Sequence, residues 1–396
     1  MSHRLLLYLG DTLLGDINYL AKDRQLVETL KSESSSPTAD TFTFSINWVL
    51  FQRFMAKQTT ENPATFLKVG KTRVVFEENG KPRFAGYLAA RPARSGSGAK
   101  QNLELTFYEY FARLSGDLVC SSSNKSDPYV RFENRPAHLY VQDLINLFMA
   151  HATAAGETID WDYGTVDTLA NKTITYKDFQ TIAKALCDAM NNVEGAGKFD
   201  VVFRPDPNDY THVLIDILKP RGQKKNITIH YPGNGVLKNW ARDFSVEETN
   251  EYASEVLVAG NGQVGDVAEG EQTANLGVAE NTDFAEEYCY WRVYQTHSNL
   301  VSQAAVDAKA ETELANLAFN TETPNITCVG LPIAWGDADN LDNGLALGDA
   351  FDFLEETDDL ADNSGTYRII KTKTTWDDNG VASVTPTLIP YETEEE

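Results

Sequence analysis

The sequence predicts an α+β fold rich in β-structure: two tube-like β-barrel domains, an α+β insertion between them, and a helical insertion in the second barrel. Two tight-turn signals favour the barrels, because Asn79-Gly80 and Asn379-Gly380 each join two runs of strand-forming residues. A similar phrase also occurs at 66–88 and at 345–371. In both, apolar residues precede a glycine, an alternating strand follows, and a returning strand carries a tyrosine. This similarity predicts two related β-domains that flank a different one.

The first predicted domain, 1–118, consists mostly of strands and is barrel-like. Residues 41–46 alternate apolar and polar side chains, which is the pattern of a half-buried strand. Residues 47–57 fit a short amphipathic helix, and the hairpin at 66–88 follows. A further strand is expected in 102–114.

The second predicted domain, 119–235, is an α+β domain. Apolar residues at helical spacing predict a helix over 136–155. A second helix is predicted over 179–190, with Asp178 as its N-cap. Two runs, 199–203 and 211–218, predict a pair of strands joined by a turn rich in Pro and Asp.

The third predicted domain, 236–396, is a second barrel-like domain. It opens with a clear strand at 254–259. A helical insertion is expected at about 297–320, because an alanine-rich run ends before Pro324. Strands at 345–354, 366–376 and 381–389 complete the domain.

Composition narrows the class of protein. The chain has 396 residues and a net charge of −24, and no run approaches the ~20 apolar residues of a membrane span. Residues 246–396 contain 31 Asp and Glu against five Lys and Arg, so nearly all the excess negative charge lies there. Such a region repels nucleic acid. The four cysteines are far apart and form no metal-binding spacing, so we expect reduced, buried thiols.

The sequence motifs predict no catalytic residue, no metal site and no cofactor. The run 260–265 matches a dinucleotide fingerprint, but no helix-forming sequence follows it. The run 337–344 resembles a calcium loop, but Leu341 and Asp342 stand where an oxygen ligand and a glycine are needed. The histidines form no HExxH motif, there is no GxSxG elbow, and no cysteine has an activating local sequence. An enzyme is not expected.

The order of these parts resembles that of phage tail hub proteins: the baseplate hub of contractile tails and the N-terminal hub portion of siphophage tail-associated lysins. The residues that carry the resemblance are Val69-Gly70, Phe84-Ala-Gly86-Tyr87, Phe107-Tyr-Glu-Tyr110-Phe-Ala-Arg-Leu114, Leu347-Gly348-Asp349 and Tyr367-Arg-Ile-Ile-Lys371. It covers essentially the whole chain. Lysin relatives continue into a lytic domain, whereas this chain stops at 396, so we expect a hub without one.

The resemblance implies a homotrimer that closes the distal tail tube, organises the tail tip or baseplate, and encloses a channel for DNA ejection. Two barrels in each of three chains match the sixfold tail above. The expected partners are a distal tail protein ring, the tape measure protein, and receptor-binding or fibre proteins, with viral DNA in transit but not specifically bound. The implied location is the virion tail tip or baseplate, after synthesis in the host cytoplasm.

The acidic third of the chain supplies the predicted channel-lining residues, Asp337, Asp339, Asp342 and Asp349. Carboxylates there would repel the phosphates of passing DNA. Two alternatives stay open. One is a cell-wall hydrolase of the tail tip, since a chain with 58 acidic residues offers many carboxylate pairs. The other is a carbohydrate-binding adhesion module, for which Trp161, Trp291 and Trp335 would have to line a groove.

Overall fold

A computed structural model gives the fold of most of the chain. The described residues are 3–34, 36–58, 67–90, 93–95, 101–120, 130–157, 159–176, 180–191, 198–219, 222–231, 241–248, 253–260, 276–282, 290–297, 300, 302–317, 322–329, 345–355, 364–377 and 382–391. They form 22 β-strands and four α-helices, and the expected β-rich α+β class is confirmed. Two 3-10 helices, Lys31–Glu33 and Tyr110–Gly116, lie at bends of the chain.

The first part of the chain forms one antiparallel sheet and one helix. Its elements are β1 (His3–Leu9), β2 (Thr12–Asp16), β3 (Ala21–Thr29), β4 (Thr41–Asn47), α1 (Trp48–Gln58), β5 (Thr72–Glu78), β6 (Lys81–Leu88), β7 (Ala93–Ser95) and β8 (Asn102–Glu109). The strands pair in the order β3-β4-β8-β6-β5-β1-β2, with β7 on β8. The alternation predicted for β4 is present, since Phe42, Phe44 and Ile46 are buried.

The middle part forms an α+β module that packs against this first sheet. Its elements are β9 (Val130–Pro136), α2 (Ala137–Ala154), β10 (Trp161–Val166), β11 (Asn171–Tyr176), α3 (Ile182–Asn191), β12 (Asp200–Pro205) and β13 (Val213–Leu218). The predicted strand pair is present as β12–β13. Strand β1 is buried on both faces: Leu5 and Leu7 face the first core, while Leu6 and Tyr8 join the core of the middle module.

The last part contains a sheet that continues the first one and a smaller separate unit. Its elements are β14 (Lys224–Tyr231), β15 (Ala241–Glu248), β16 (Glu255–Ala259), β17 (Leu276–Glu280), β18 (Arg292–Thr296), α4 (Gln303–Leu317), β19 (Glu322–Val329), β20 (Ala350–Glu355), β21 (Gly365–Trp376) and β22 (Ala382–Pro390). Strand β21 pairs with β3, so the described strands run as an open path from β15 to β2. Strands β17-β16-β18 form their own sheet beside α4.

Several predicted boundaries differ from the observed ones; for example, the helix expected from about 297 begins at Gln303, and the strand expected in 102–114 ends at Glu109. Helix α3 begins at Ile182 rather than at 179, and the predicted cap Asp178 lies outside the described residues. The strand predicted from 345 begins at Ala350. The reason is local, because residues 346–349 form a tight turn whose glycine has a positive φ.

Candidate functional site

The first copy of the repeated phrase contains a turn with a defined hydrogen-bond pattern. The amide of Lys71 donates to the carbonyl of Lys68 at 3.1 Å, which closes a four-residue turn. Gly70 occupies the third position with a φ of +75°, a conformation that favours glycine. The Gly70 amide then donates to the carbonyl of Leu88 at 3.0 Å. The turn is therefore fastened to the end of the returning strand β6.

The second copy has the same pattern. The amide of Asp349 donates to the carbonyl of Ala346 at 3.0 Å, and Gly348 has a φ of +94° in the third position. The Gly348 amide donates to the carbonyl of Ile369 at 2.8 Å, on the returning strand β21. In both copies the strand after the turn pairs antiparallel with the strand that the glycine contacts. The similarity in sequence thus extends to backbone geometry.

The predicted channel residues are not all on the surface. Asp349 is 4% exposed, and its Oδ1 and Oδ2 accept the amides of Gln223 and Ala346, each at 2.9 Å. We therefore assign its carboxylate to holding the second turn against the chain that enters β14. A Cβ on Gly222 would overlap the carbonyl group of Gly348, which shows how closely the two segments approach. Asp337, Asp339 and Asp342 lie outside the described residues.

The 3-10 turn Lys31–Glu33 joins the first part of the chain to the middle module. The ammonium of Lys31 lies 2.9 Å from the carboxylate of Glu109, and both side chains are almost fully buried. The amide of Ser32 donates to Asp200 of β12 at 3.2 Å. A buried charge retains its charged form only with such a partner.

The same turn reaches the last part of the chain through Glu33. Its carboxylate accepts from Arg368 of β21 at 3.1 Å and from Lys198 of the middle module at 2.6 Å. Three residues of one turn therefore contact all three parts of the molecule. No local sequence pattern predicted this role.

A second charged cluster lies where β3 and β21 pair. The guanidinium of Arg83 is 4% exposed, and it donates to Glu78 at 2.7 Å and to Thr374 of β21 at 3.1 Å. It lies 3.5 Å from Glu28 of β3 and 5.1 Å from the ring centroid of Trp376. This cluster ties the first sheet to the strand that continues it.

Glu78 is a carboxylate of that cluster with a strongly lowered pKa. Burial acts to raise its pKa, but hydrogen bonds from His3, Arg83 and Trp376 and the charge of Arg83 outweigh burial. The net effect lowers the pKa of Glu78 to about 2. The carboxylate is held in its charged form by its neighbours.

The sheet β17-β16-β18 has one covered face and one open face. Val256, Val258 and Ala279 pack against α4. On the other face, Leu257 lies level with Val278 on one side and with Tyr294 on the other, and both of these neighbours are exposed. We call this open surface the outer sheet face.

The three tryptophans of the adhesion alternative have different environments. Trp161 is a core residue that stacks on Phe148 with 5.1 Å between ring centroids. Trp291 is 56% exposed and directly precedes β18. Trp335 lies outside the described residues. Trp161 is 7% exposed and lines a pocket with Arg73 and Tyr110, so only a small part of its ring is open to a ligand.

The described residues show neither a metal-ion cluster nor a membrane-spanning helix. In the described ranges, no group of three or more His, Cys, Asp or Glu side chains is placed to hold a metal ion. None of the described helices combines the length and the apolar composition needed to cross a bilayer. The glycine-rich run 260–265 lies outside the described residues except for its first glycine.

Comparisons with known proteins identify the fold. The chain matches no protein-family model. It also matches no curated protein. Solved structures do match over nearly the full length of both chains. The 43 kDa tail protein of prophage MuSo2 from Shewanella oneidensis has a TM-score of 0.62 at 11% identity, covering 98% of each chain.

Two further tail proteins agree with the first. A tail protein from Neisseria meningitidis MC58 has a TM-score of 0.60 at 12% identity, covering 98% of this chain and 97% of the other. The prophage tail protein gp18 from Listeria monocytogenes EGD-e has a TM-score of 0.51 at 9% identity, covering 97% and 94%. The resemblance predicted from the sequence is confirmed at the level of the fold, which this chain shares with phage tail proteins.

Proposed function

We propose that this protein is a structural phage tail hub: a homotrimer that closes the distal tail tube and forms the channel for DNA ejection. The observation that carries the proposal is the repeated turn at Gly70 and Gly348, with identical hydrogen bonding onto β6 and β21. Two equivalent turns in each chain give six in a trimer, and we expect each turn to face the tail tube. A ring of six matches a sixfold tube, whereas three chains with one element each would not.

The two repeats belong to two tube-like barrels in this proposal. The first sheet encloses its own core, with Phe42, Phe76 and Phe107 at its centre. The strands around β20 and β21 enclose another, with Phe351 and Phe353. Separate cores on either side of the β3–β21 pairing support two barrels side by side, each able to contribute one sixth of a ring.

A hub at the tail tip transmits contacts between the tube and its attachments, so its parts must keep fixed relative positions. The contacts of the Lys31–Glu33 turn and of Arg83 supply that rigidity. The distal tail ring, the tape measure and the receptor-binding or fibre proteins are its proposed partners, and the virion tail tip or baseplate its location after synthesis in the host cytoplasm. The role is structural rather than enzymatic.

The acidic residues of the last third fit the channel. Residues 337–363 contain ten Asp and Glu and no Lys or Arg. Placed at the inner wall of the ring, Asp337, Asp339 and Asp342 repel phosphates and prevent retention of DNA in transit.

Light scattering of the purified chain, with negative-stain images of the same fraction, tests the proposal. A particle of three times 44.0 kDa with a central hole is the expected result. The same measurement with purified tail-tube rings covers the case in which the trimer closes only on its partner. A chain that stays monomeric alone and with the rings would contradict the hub.

A further inference from the structure

In the middle module, one imidazole contacts a thiol on one side and a carboxylate on the other. The Sγ of Cys120 lies 3.9 Å from Nε2 of His151, within hydrogen-bonding range for sulfur. The Nδ1 of the same ring lies 2.8 Å from Oδ2 of Asp117. A nucleophile, an imidazole and a carboxylate thus follow one another in the order that activates a thiol.

The fold holds this arrangement from two sides. The segment 117–120 pairs with the start of α3: Val119 donates to the carbonyl of Gln180 at 2.7 Å, and Ile182 donates to the carbonyl of Asp117 at 3.0 Å. His151 comes from the last turn of α2. The positions of the nucleophile and of the imidazole are therefore set by separate, regular elements.

The hydrogen bonds assign the proton on the imidazole. Oδ1 of Asp117 accepts the amide of Leu118 at 2.8 Å, which fixes the carboxylate so that Oδ2 faces the ring. A carboxylate accepts hydrogen bonds, so Nδ1 of His151 carries the proton and Nε2 offers its lone pair to the thiol.

Cys187, in the same module, is a thiol without an activating base and serves for comparison. It is fully buried, and burial raises the pKa of its thiol to about 11. Cys120 is also buried, at 6% exposed, but the side chains of His151 and Asp117 next to it are 15% and 24% exposed. The arrangement therefore opens toward the surface of the module.

We propose that Cys120 is a nucleophilic thiol and a covalent modification site for small carbon electrophiles, with His151 as its base and Asp117 as the group that orients the base. As the sulfur attacks, the S–H proton passes to Nε2 of His151. An S–C bond forms, the bond from that carbon to its leaving group breaks, and the leaving group departs with the electron pair. The imidazolium then releases its proton to solvent.

Iodoacetamide is the probe that tests this, with peptide mass mapping of each cysteine over time in the full-length folded protein. In wild type, Cys120 is expected to be alkylated about tenfold faster, or more, than in His151→Gln, and Asp117→Asn is expected to fall between them. Iodide is the leaving group. His138→Gln is the matched control, because His138 lies at the other end of α2 and accepts a main-chain hydrogen bond.

Cys187 serves as an internal reference within every variant. A substitution that merely loosens the module would expose both thiols and speed both reactions, whereas loss of the base slows Cys120 and leaves Cys187 protected. Equal Cys120 rates in wild type and His151→Gln would overturn the proposal. So would a Cys120 that reacts in wild type only as fast as Cys187 does.

Discussion

Glu78 carries a testable consequence of the cluster between the first and last parts of the chain. Its folded-state pKa of about 2 lies below the ordinary value of 4.5. A group with a lowered folded pKa stabilises the fold above the unfolded pKa and loses that contribution as pH falls toward the folded one. Its stabilisation is therefore complete at neutral pH and declines below about pH 4.5.

We expect the difference in unfolding free energy between wild type and Glu78→Gln to shrink by about 2 kcal/mol between pH 5 and pH 3. Urea titrations of both proteins at several pH values measure it. The glutamine variant keeps the size of the side chain, so packing cancels in the comparison. A difference that stays constant over this range would show that Glu78 titrates normally.

The Lys31–Glu109 pair gives a second prediction for single residues. Both side chains are buried, so removing the ammonium leaves the Glu109 carboxylate without its ion-pair partner, with the amide of Asp40 still donating to it at 3.2 Å. Lys31→Met is expected to lower the unfolding free energy by roughly 3 kcal/mol. The double variant Lys31→Met/Glu109→Gln is expected to recover much of this loss, because neither charge of the pair is left buried. Equal losses in the single and double variants would argue against the ion pair as the cause.

Residues of the candidate sites differ in how far the sequence could predict them. Gly70 and Gly348 could be found from the sequence because a backbone position with a positive φ favours glycine, and both glycines stand in the same local sequence pattern. Cys120 and His151 were missed because they are 31 positions apart and meet only when α2 packs beside the segment before α3. Proximity that arises from packing leaves no local signal in one sequence.

Strands β6 and β8 pair, and the backbone of β8 at Tyr108 lies close to Gly86 of β6. A Cβ built there would lie 2.7 Å from the ring of Phe84 and 2.8 Å from the carbonyl carbon of Tyr108, and the backbone atom cannot move away cheaply. Gly86→Ala is expected to lower the unfolding free energy by about 2 kcal/mol through overpacking. Gly116→Ala is the control, since nothing lies within 4 Å of its Cβ position. Thermal melts measure both variants. Equal melting temperatures for Gly86→Ala and Gly116→Ala would contradict the tight contact between Gly86 and the backbone of Tyr108.

The elements were predicted best where their own sequence decides their form. The alternating strand β4 and the helices α1 and α2 have local periodicity, and the structure places them within a few residues of the prediction. The start of β20 was predicted too early, because the turn at Gly348 occupies residues that also look strand-like. Local sequence propensity cannot distinguish a turn that is hydrogen-bonded to a distant strand from the first residues of the strand that follows it.

Pairing between distant strands is the part of the architecture that the sequence did not disclose. Strand β3 near the start of the chain pairs with β21 near its end, with Thr29 opposite Lys371. Trp376 consequently packs in the first core, 5.0 Å from the ring centroid of Phe76. Neither strand contains a sequence pattern that identifies the other as its partner, so the pairing that joins the first and last parts is seen only in the structure.

That union predicts how stability is distributed over the whole molecule. The sheet formed by β3 and β21 is anchored by large aromatic residues, whereas the unit of β16, β17, β18 and α4 has eight buried hydrophobic residues in the described ranges, four of them alanine. Hydrophobic stabilisation scales with the apolar area buried, so this unit gains less from its core.

We expect the amides of this unit to open at a free energy about 2 kcal/mol or more below that of β3 and β21. Hydrogen exchange followed by mass spectrometry measures both regions in one sample, with β12 and β13 of the middle module as the internal reference. Equal protection in all three regions would mean that the molecule opens as one cooperative body and that the small unit draws its stability from the rest.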